Sequence, residues 1–218
     1  MKLLLTSESI TNKSIADAFV ELVGKPLNAC KIVYVPTAGN PEKGDKGWMK
    51  MNMDNIRRFK PLSFDVVDIS SAPKSEWLPI FQKSDVLAFG GGSAEYLLDQ
   101  LEISGVKDAL PDLLKTRIYF GSSAGGMVTA KKVTLSKMGI LYWEKTGKFE
   151  DREGLGFVDF EIRPHFMRSD YPQLTIETME KLARENPLQF YAIDDQTAIK
   201  VDGDKITLVS EGTWKKFN

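Results

Sequence analysis

Cysteine and histidine each occur once in the 218 residues, as Cys30 and His165. One thiol can form no internal disulfide and no cysteine-rich metal site. One imidazole leaves any histidine chemistry with a single candidate. An excess of either charge is missing too: 29 Lys and Arg stand against 30 Asp and Glu, a formal net charge of -1. No global basic field is available to hold phosphate backbones or acidic bilayers, so neither nucleic acid nor a membrane is an expected partner. Long apolar runs are also lacking. The opening MKLLLTSES turns polar after three leucines, too short for a signal core or a spanning helix, and a cytoplasmic protein is the expectation. Neither G-x-G-x-x-G nor G-x-x-x-x-G-K-[ST] occurs, which argues against a phosphate cradle.

What is present suits one substantial core. With 42% hydrophobic and 27% charged residues, the chain reads as a single domain over residues 1–218. Lys2 to Leu5 reads as a short strand, and Asn12 to Val23 sets Ile15, Ala18, Phe19 and Leu22 on one helix face before Gly24. KIVYV at 31–35, SFDVVDIS at 63–70, DVLAFGGGS at 85–93 and RIYF at 117–120 read as further strands. Helical segments at 48–60, 94–101 and 106–114 lie between them. Past residue 130, the runs 132–143 and 157–166 read as strands and 172–185 as a helix. FYAI at 190–193 and a hairpin turning at DGD, residues 202–204, complete the pattern. Strand and helix alternating implies a parallel sheet with right-handed crossovers. The fold class is therefore α/β: a three-layer α/β/α sandwich with a mostly parallel sheet and an antiparallel extension near the C-terminus. Trp48, Met49, Met51 and Met53 are assigned to packing along a helix, and Cys30 to the core.

Chemistry concentrates at strand ends. Residues 121–125, GSSAG, spell G-x-S-x-G after the strand IYF. Small residues there let a strand and a helix approach closely and expose the central hydroxyl, that of Ser123. By itself the pattern also fits a plain small-residue turn. Ser122 occupies the variable position and is expected to cap the next helix. A serine nucleophile needs a base, for which His165 is the one imidazole, and a third group to orient it. Asp194 and Asp195 follow FYAI, and Glu161 precedes His165 on its strand; the residues alone do not choose among these three. Backbone donors for an oxyanion would come from Ala124 and from the loop GGGS at 90–93.

These pieces in this order, GGGS, YFGSSAGGM, RPHFMRSDY and AIDDQTAIKV, resemble the peptidase E (aspartyl dipeptidase) and cyanophycinase family of serine peptidases. The resemblance runs from VPTA at 35–38 through the C-terminal strands. It implies a fold related to class I glutamine amidotransferases, no metal and no cofactor. It also implies Ser123 as nucleophile, His165 as base, Asp195 at the place of the triad carboxylate, and Gly92 with Ala124 as oxyanion hole. Two departures stand out: Ser93 where the family usually carries Asn, and Asp195 where it usually carries Glu. An aspartate is one methylene shorter, so its carboxylate is expected to reach His165 only with backbone adjustment, and activity or substrate choice to differ as a result. The family's preference for an aspartyl residue before the scissile bond calls for a cation, with Arg168 in a matching place and Ser93 beside it; Arg163 is a weaker candidate.

The reading is a serine hydrolase cleaving small peptides, dipeptides with an aspartyl residue before the scissile bond, through an acyl-enzyme. Two alternatives stay open. One is a serine esterase of α/β-hydrolase type, whose acid would lie between Ser123 and His165, at Glu144, Asp151 or Asp159. The other is a non-catalytic member binding a small ligand or partner. Monomer and homodimer are both compatible with the sequence.

Overall fold

The computed structural model describes every residue except 143, 145 and 146. In chain order the elements are β1 (Lys2–Thr6), α1 (Lys13–Val23), β2 (Lys31–Val35), α2 (Gly47–Arg57), β3 (Ser63–Val66), α3 (Lys74–Lys83), β4 (Val86–Phe89), α4 (Ala94–Ile103), α5 (Val106–Leu113), β5 (Ile118–Ser122), α6 (Ala124–Met127), β6 (Lys132–Val133), α7 (Met138–Leu141), β7 (Arg152–Glu153), β8 (Glu161–Arg163), α8 (Ile176–Glu185), β9 (Phe190–Ile193), β10 (Thr197–Asp202), β11 (Lys205–Ser210) and β12 (Trp214–Phe217).

Seven strands form the main sheet in the order β11-β10-β1-β5-β4-β2-β3. The five from β1 to β3 run parallel, while β10 and β11 join antiparallel at the β1 edge. This is the mostly parallel sheet with a C-terminal antiparallel extension that the sequence pattern implies. Strand alternation sends side chains to two cores. Leu3, Leu5, Val33, Val35, Leu87, Phe89 and Tyr119 face one, which α3, α4, α5 and α6 cover. Leu4, Ile32, Tyr34, Ala88 and Phe120 face the other, against α1 and α2. A smaller sheet, β12-β9-β8, carries the C-terminal helix α8 over a third cluster around Phe166, Phe190 and Phe217.

Four segments differ from the sequence expectation. Of the strand expected over 132–143, residue 143 lies outside the described residues, and in 132–142 only β6 pairs and α7 follows. Leu135, Met138 and Leu141 recur every third residue and are all buried, so a helical turn hides them better than alternation would. The strand expected at 157–166 contracts to the three residues of β8. That expected at 63–70 stops at Val66, because the Asp68 carboxylate accepts hydrogen bonds from Thr37, Asn40 and Ser70 and fixes a turn. The helix expected from 172 starts at Ile176, where the Thr175 hydroxyl caps the Thr178 N–H at 3.3 Å. One helix, α3, is not among the expected segments because Pro79 interrupts its pattern, yet Trp77 and Phe81 one turn apart are fully buried.

Gly121 near the end of β5 and Gly125 in α6 set how closely α6 approaches the sheet. A Cβ on Gly121 would stand 2.5 Å from the Gly125 carbonyl oxygen, and one on Gly125 would run into the Phe89 carbonyl. Backbone cannot yield there as a side chain can. Gly125→Ala is therefore expected to cost about 3 kcal/mol or more of unfolding free energy, read by urea denaturation; a loss within experimental error would show that α6 shifts freely.

Candidate active site

The C-terminal ends of β1, β4 and β5 converge at one rim of the parallel sheet, where doubly wound folds place their sites. From β5 the chain turns sharply into α6 through Ser123, whose φ of 48° and ψ of -113° lie outside the ordinary regions for an L-residue. That strained turn lifts the hydroxyl off the sheet. From β8 the chain passes through Pro164 to His165, itself at a φ of 61°. The two converge: His165 Nε2 is 3.2 Å from Ser123 Oγ. On the other side of the ring, Nδ1 is 2.7 Å from Asp195 Oδ1. An ionised carboxylate only accepts, so Nδ1 carries the proton and Nε2 presents a lone pair to the serine. The imidazole also stacks on Tyr171 with ring centroids 5.2 Å apart.

The two adjacent aspartates divide cleanly. Asp194 accepts from the Gln196 N–H, the Thr197 hydroxyl and the Thr213 N–H and so builds the turn between β9 and β10. Asp195 faces His165. Its carboxylate reaches the imidazole directly despite the shorter side chain, and Ser7, just past β1 and not among the expected site residues, bonds to both. Its hydroxyl donates to Asp195 Oδ1 at 2.5 Å and accepts from the His165 backbone N–H at 2.8 Å. Burial works to raise the Asp195 pKa, but the His165 hydrogen bond and charge, Ser7 and Arg168 outweigh it and hold the carboxyl below its ordinary value. Ser7 was legible only as a polar residue at a strand end.

Competing acids lie elsewhere. Glu161 is buried in a pair with Arg163 at 3.0 Å and accepts from Thr134; neither touches His165. Asp151 accepts from the Ser136 N–H, and Asp159 lines a separate cavity. Glu144 is bonded to Ser93 Oγ at 3.1 Å. Cys30 is fully buried and its thiol is pushed up to about 12, chiefly by burial, so it is no nucleophile.

The two residues expected to supply oxyanion donors flank the site: Gly92 lines the cavity, and Ala124 follows Ser123 directly. Ala124 is the first residue of α6, where an N–H has no partner within the helix. Gly92 holds a φ of 126°, and a Cβ there would collide with the Ala38 backbone, so only glycine fits. Ser93 departs from its expected place at the substrate: its hydroxyl caps α4 at the Tyr96 N–H and reaches the cavity only through Glu144. Ser122 does not cap α6 as expected; its hydroxyl accepts from the Ser9 N–H at 3.1 Å, tying β5 to the loop after β1. Arg168 is close to the triad, its Nη1 at 3.1 Å from Asp195 and 3.3 Å from Glu8, its Nε at 2.8 Å from Asp170.

A cavity of about 210 Å³ opens over these groups. Ser123, His165, Gly91, Gly92, Arg168 and Tyr171 line it, and so do Glu8, Glu42, Trp48, Asn52 and Glu144. Met49 and Met53 pack on the core as expected of α2, but Trp48 turns to the cavity. Among the described residues, no group of three or more His, Cys, Asp or Glu is placed to hold a metal ion, and no helix is long and apolar enough to cross a membrane.

Comparison with known proteins shows a shared fold and a family. An uncharacterised peptidase of Pasteurella multocida is 26% identical over 99% of this chain and all of its own length. Peptidase E of Actinobacillus pleuropneumoniae serotype 7 is 26% identical over 82% of this chain and 74% of the relative. A Listeria monocytogenes EGD-e crystal structure with a provisional peptidase E name superposes with a TM-score of 0.79 at 22% identity, covering 97% of this chain and 98% of that one; it shows a shared fold. Residues 3–209 match the model of peptidase family S51, and the chain belongs to that family.

Proposed function

We propose that this member of the family is a serine peptidase that hydrolyses short peptides through an acyl-enzyme, with Ser123, His165 and Asp195 as its triad. The observation that carries the reading is the continuous relay from Ser123 Oγ through the ring of His165 to Asp195 Oδ1, with contacts of 3.2 and 2.7 Å. In the first half-reaction, the bond from Ser123 Oγ to the scissile carbonyl carbon forms as the hydroxyl proton passes to His165 Nε2. The C–N bond then breaks as that proton moves to the leaving amine. Water repeats the sequence on the ester, giving its proton to His165 and releasing the acid and the free serine. The N–H groups of Gly92 and Ala124 stabilise the oxyanion in both halves. Asp195 keeps the imidazole in the useful tautomer.

The cavity size suits dipeptides and similar small molecules better than an extended polypeptide. An aspartyl residue before the scissile bond, which the resemblance implies, would find a cation at Arg168. Nε and Nη1 of that side chain already serve carboxylates, so a substrate carboxylate would be met by Nη2.

A fluorophosphonate probe tests the chemistry directly. The expected result is one adduct, mapped by mass spectrometry to Ser123, together with hydrolysis of at least one member of a panel of Asp-X, isoaspartyl and neutral dipeptides. Failure of Ser123 to label anywhere between about pH 6 and 9, where a serine nucleophile paired with histidine reacts, overturns the proposal.

A further inference from the structure

His165, Arg168 and Tyr171 recur every third residue in the loop after β8, and the backbone repeats with them. The Arg168 N–H donates to the His165 carbonyl at 3.1 Å, and the Tyr171 N–H to that of Arg168 at 3.0 Å. The Phe166 N–H adds a bond to Ile193 at 3.1 Å and the Met167 N–H one to Leu174 at 2.8 Å. Backbone bonds therefore shape this loop, and the Arg168 side chain is free to serve another purpose. It reaches the proton-bearing edge of the imidazole: Nη1 is 3.1 Å from Asp195 Oδ2 and 3.5 Å from His165 Nδ1. The guanidinium lies 5.8 Å from the Tyr171 ring on which the imidazole stacks.

Asp195 gives one oxygen to His165 and Ser7 and the other to Arg168, so both edges of the carboxylate are fixed. The contact between Nη1 and Nδ1 is of another kind. Nδ1 carries its proton toward Asp195, so two donors stand side by side, and their repulsion grows when the ring takes up a second proton. Acids pull the other way. Among the described residues, the imidazole feels the carboxyl groups of Asp195, Glu8, Glu42 and Asp170, which come from the loops after β9, after β1, before α2 and after β8. Glu144 lines the same cavity, and the Tyr171 phenol completes the titratable neighbours. Such a ring of acids favours imidazolium, which is useless as a base. Arg168 is the cation set among them, held by Glu8 at 3.3 Å and Asp170 at 2.8 Å, and it stays charged at any working pH.

We propose that Arg168 is a positioning residue of the relay: it fixes the Asp195 carboxylate for Nδ1 and offsets the surrounding acids, so that His165 stays a free base further into the acid range than those acids alone would permit. This role is separate from any contact with substrate. As a contribution to catalysis it rests on the peptidase reading.

The chain has one histidine, so ring-labelled histidine gives a single imidazole signal by NMR, and its titration in the full-length protein reads the proposal without requiring catalysis. Arg168→Gln deletes the repelling cation and uncovers Glu8 and Asp170. Both changes favour imidazolium, and the midpoint is expected to rise by about 0.5 to 1 pH unit. Arg168→Lys keeps the charge and should recover at least about half of that shift. Glu8→Gln should move the midpoint down, a reversal of sign that a general loosening of the loop would not produce. A neutral fluorophosphonate supplies the kinetic arm, since it offers no carboxylate to Arg168. The acid limb of its reaction with Ser123 should follow the midpoint, and at about pH 6 the Gln variant should label about 3- to 10-fold more slowly than the parent. Circular dichroism checks the fold; were Arg168→Gln not to fold, an unmoved or raised midpoint in Glu8→Gln overturns the proposal by itself. An unmoved or lowered midpoint in Arg168→Gln overturns it even if Ser123 labels normally. Slow labelling with an unmoved midpoint does the same and assigns Arg168 to the shape of the loop. A raised midpoint in a protein whose Ser123 never labels keeps the action of Arg168 on the imidazole and removes the peptidase.

Discussion

Ser123→Ala is expected to lower kcat/KM for a cleaved dipeptide by about 10⁴-fold or more while the melting temperature stays within a few degrees of the parent. The reason is geometric. Ser123 sits at a positive φ on the turn between β5 and α6, makes no capping hydrogen bond with its side chain, and points its hydroxyl at His165 Nε2. Removing one oxygen deletes the nucleophile and little else. His165→Ala should cost a similar factor, because without the imidazole the serine proton has no acceptor of suitable strength. The double variant should be no worse than either single one, since the two groups act as a unit and what remains comes from the oxyanion donors and binding. Steady-state kinetics on the three proteins, with thermal melts in parallel, checks this. Wild-type turnover in any of them would end the serine mechanism.

Asp195→Asn should reduce kcat by about 10³- to 10⁴-fold with a smaller change in KM. An amide at this position can donate to His165 Nδ1, which reverses the tautomer and leaves Nε2 with a proton where a lone pair is needed. The substitution also separates this arrangement from an α/β-hydrolase order, in which the acid precedes the histidine; among the described residues Glu144 is bonded to Ser93, Asp151 accepts from the Ser136 N–H, and Asp159 lines a separate cavity. Stability supplies a second readout. The folded pKa of Asp195 lies below its ordinary value of 3.8. Its contribution is therefore present above about pH 4 and lost as pH falls through the lower folded value. The stability gap between parent and Asn variant should be widest near neutrality and shrink below about pH 4. A gap that widens on acidification, or an unchanged rate, would show that Asp195 does not hold the imidazole.

Much of the candidate site is legible in the sequence because strand ends carry it. Ser123 follows the buried run of β5, His165 follows β8, and Asp195 follows β9, each within three residues of a strand terminus. The small residues around Ser123 are explained by contact: glycine is needed where α6 presses on β5 and β4. The same logic could not choose between Asp194 and Asp195. Both lie in one loop, and only the closure of that loop against Thr213 turns the first into a structural anchor and the second toward the imidazole. Nor could it see Ser7, whose partners are 158 and 188 residues away.

From the order of amino acids comes the inventory: one imidazole, one glycine-framed serine, a near-neutral chain, and alternating apolar runs that allow little besides a parallel sheet between two helical layers. Only the packed molecule shows that Asp195, which the resemblance had indicated, is set against His165, that Arg168 is already engaged by three carboxylates, and that Glu42, Trp48, Asn52 and Glu144 meet in one cavity. The division has a physical cause. Apolar periodicity and close-approach glycines express forces acting over a few residues, whereas charges and hydrogen-bond partners brought together from distant loops depend on a register that only the packed sheet defines.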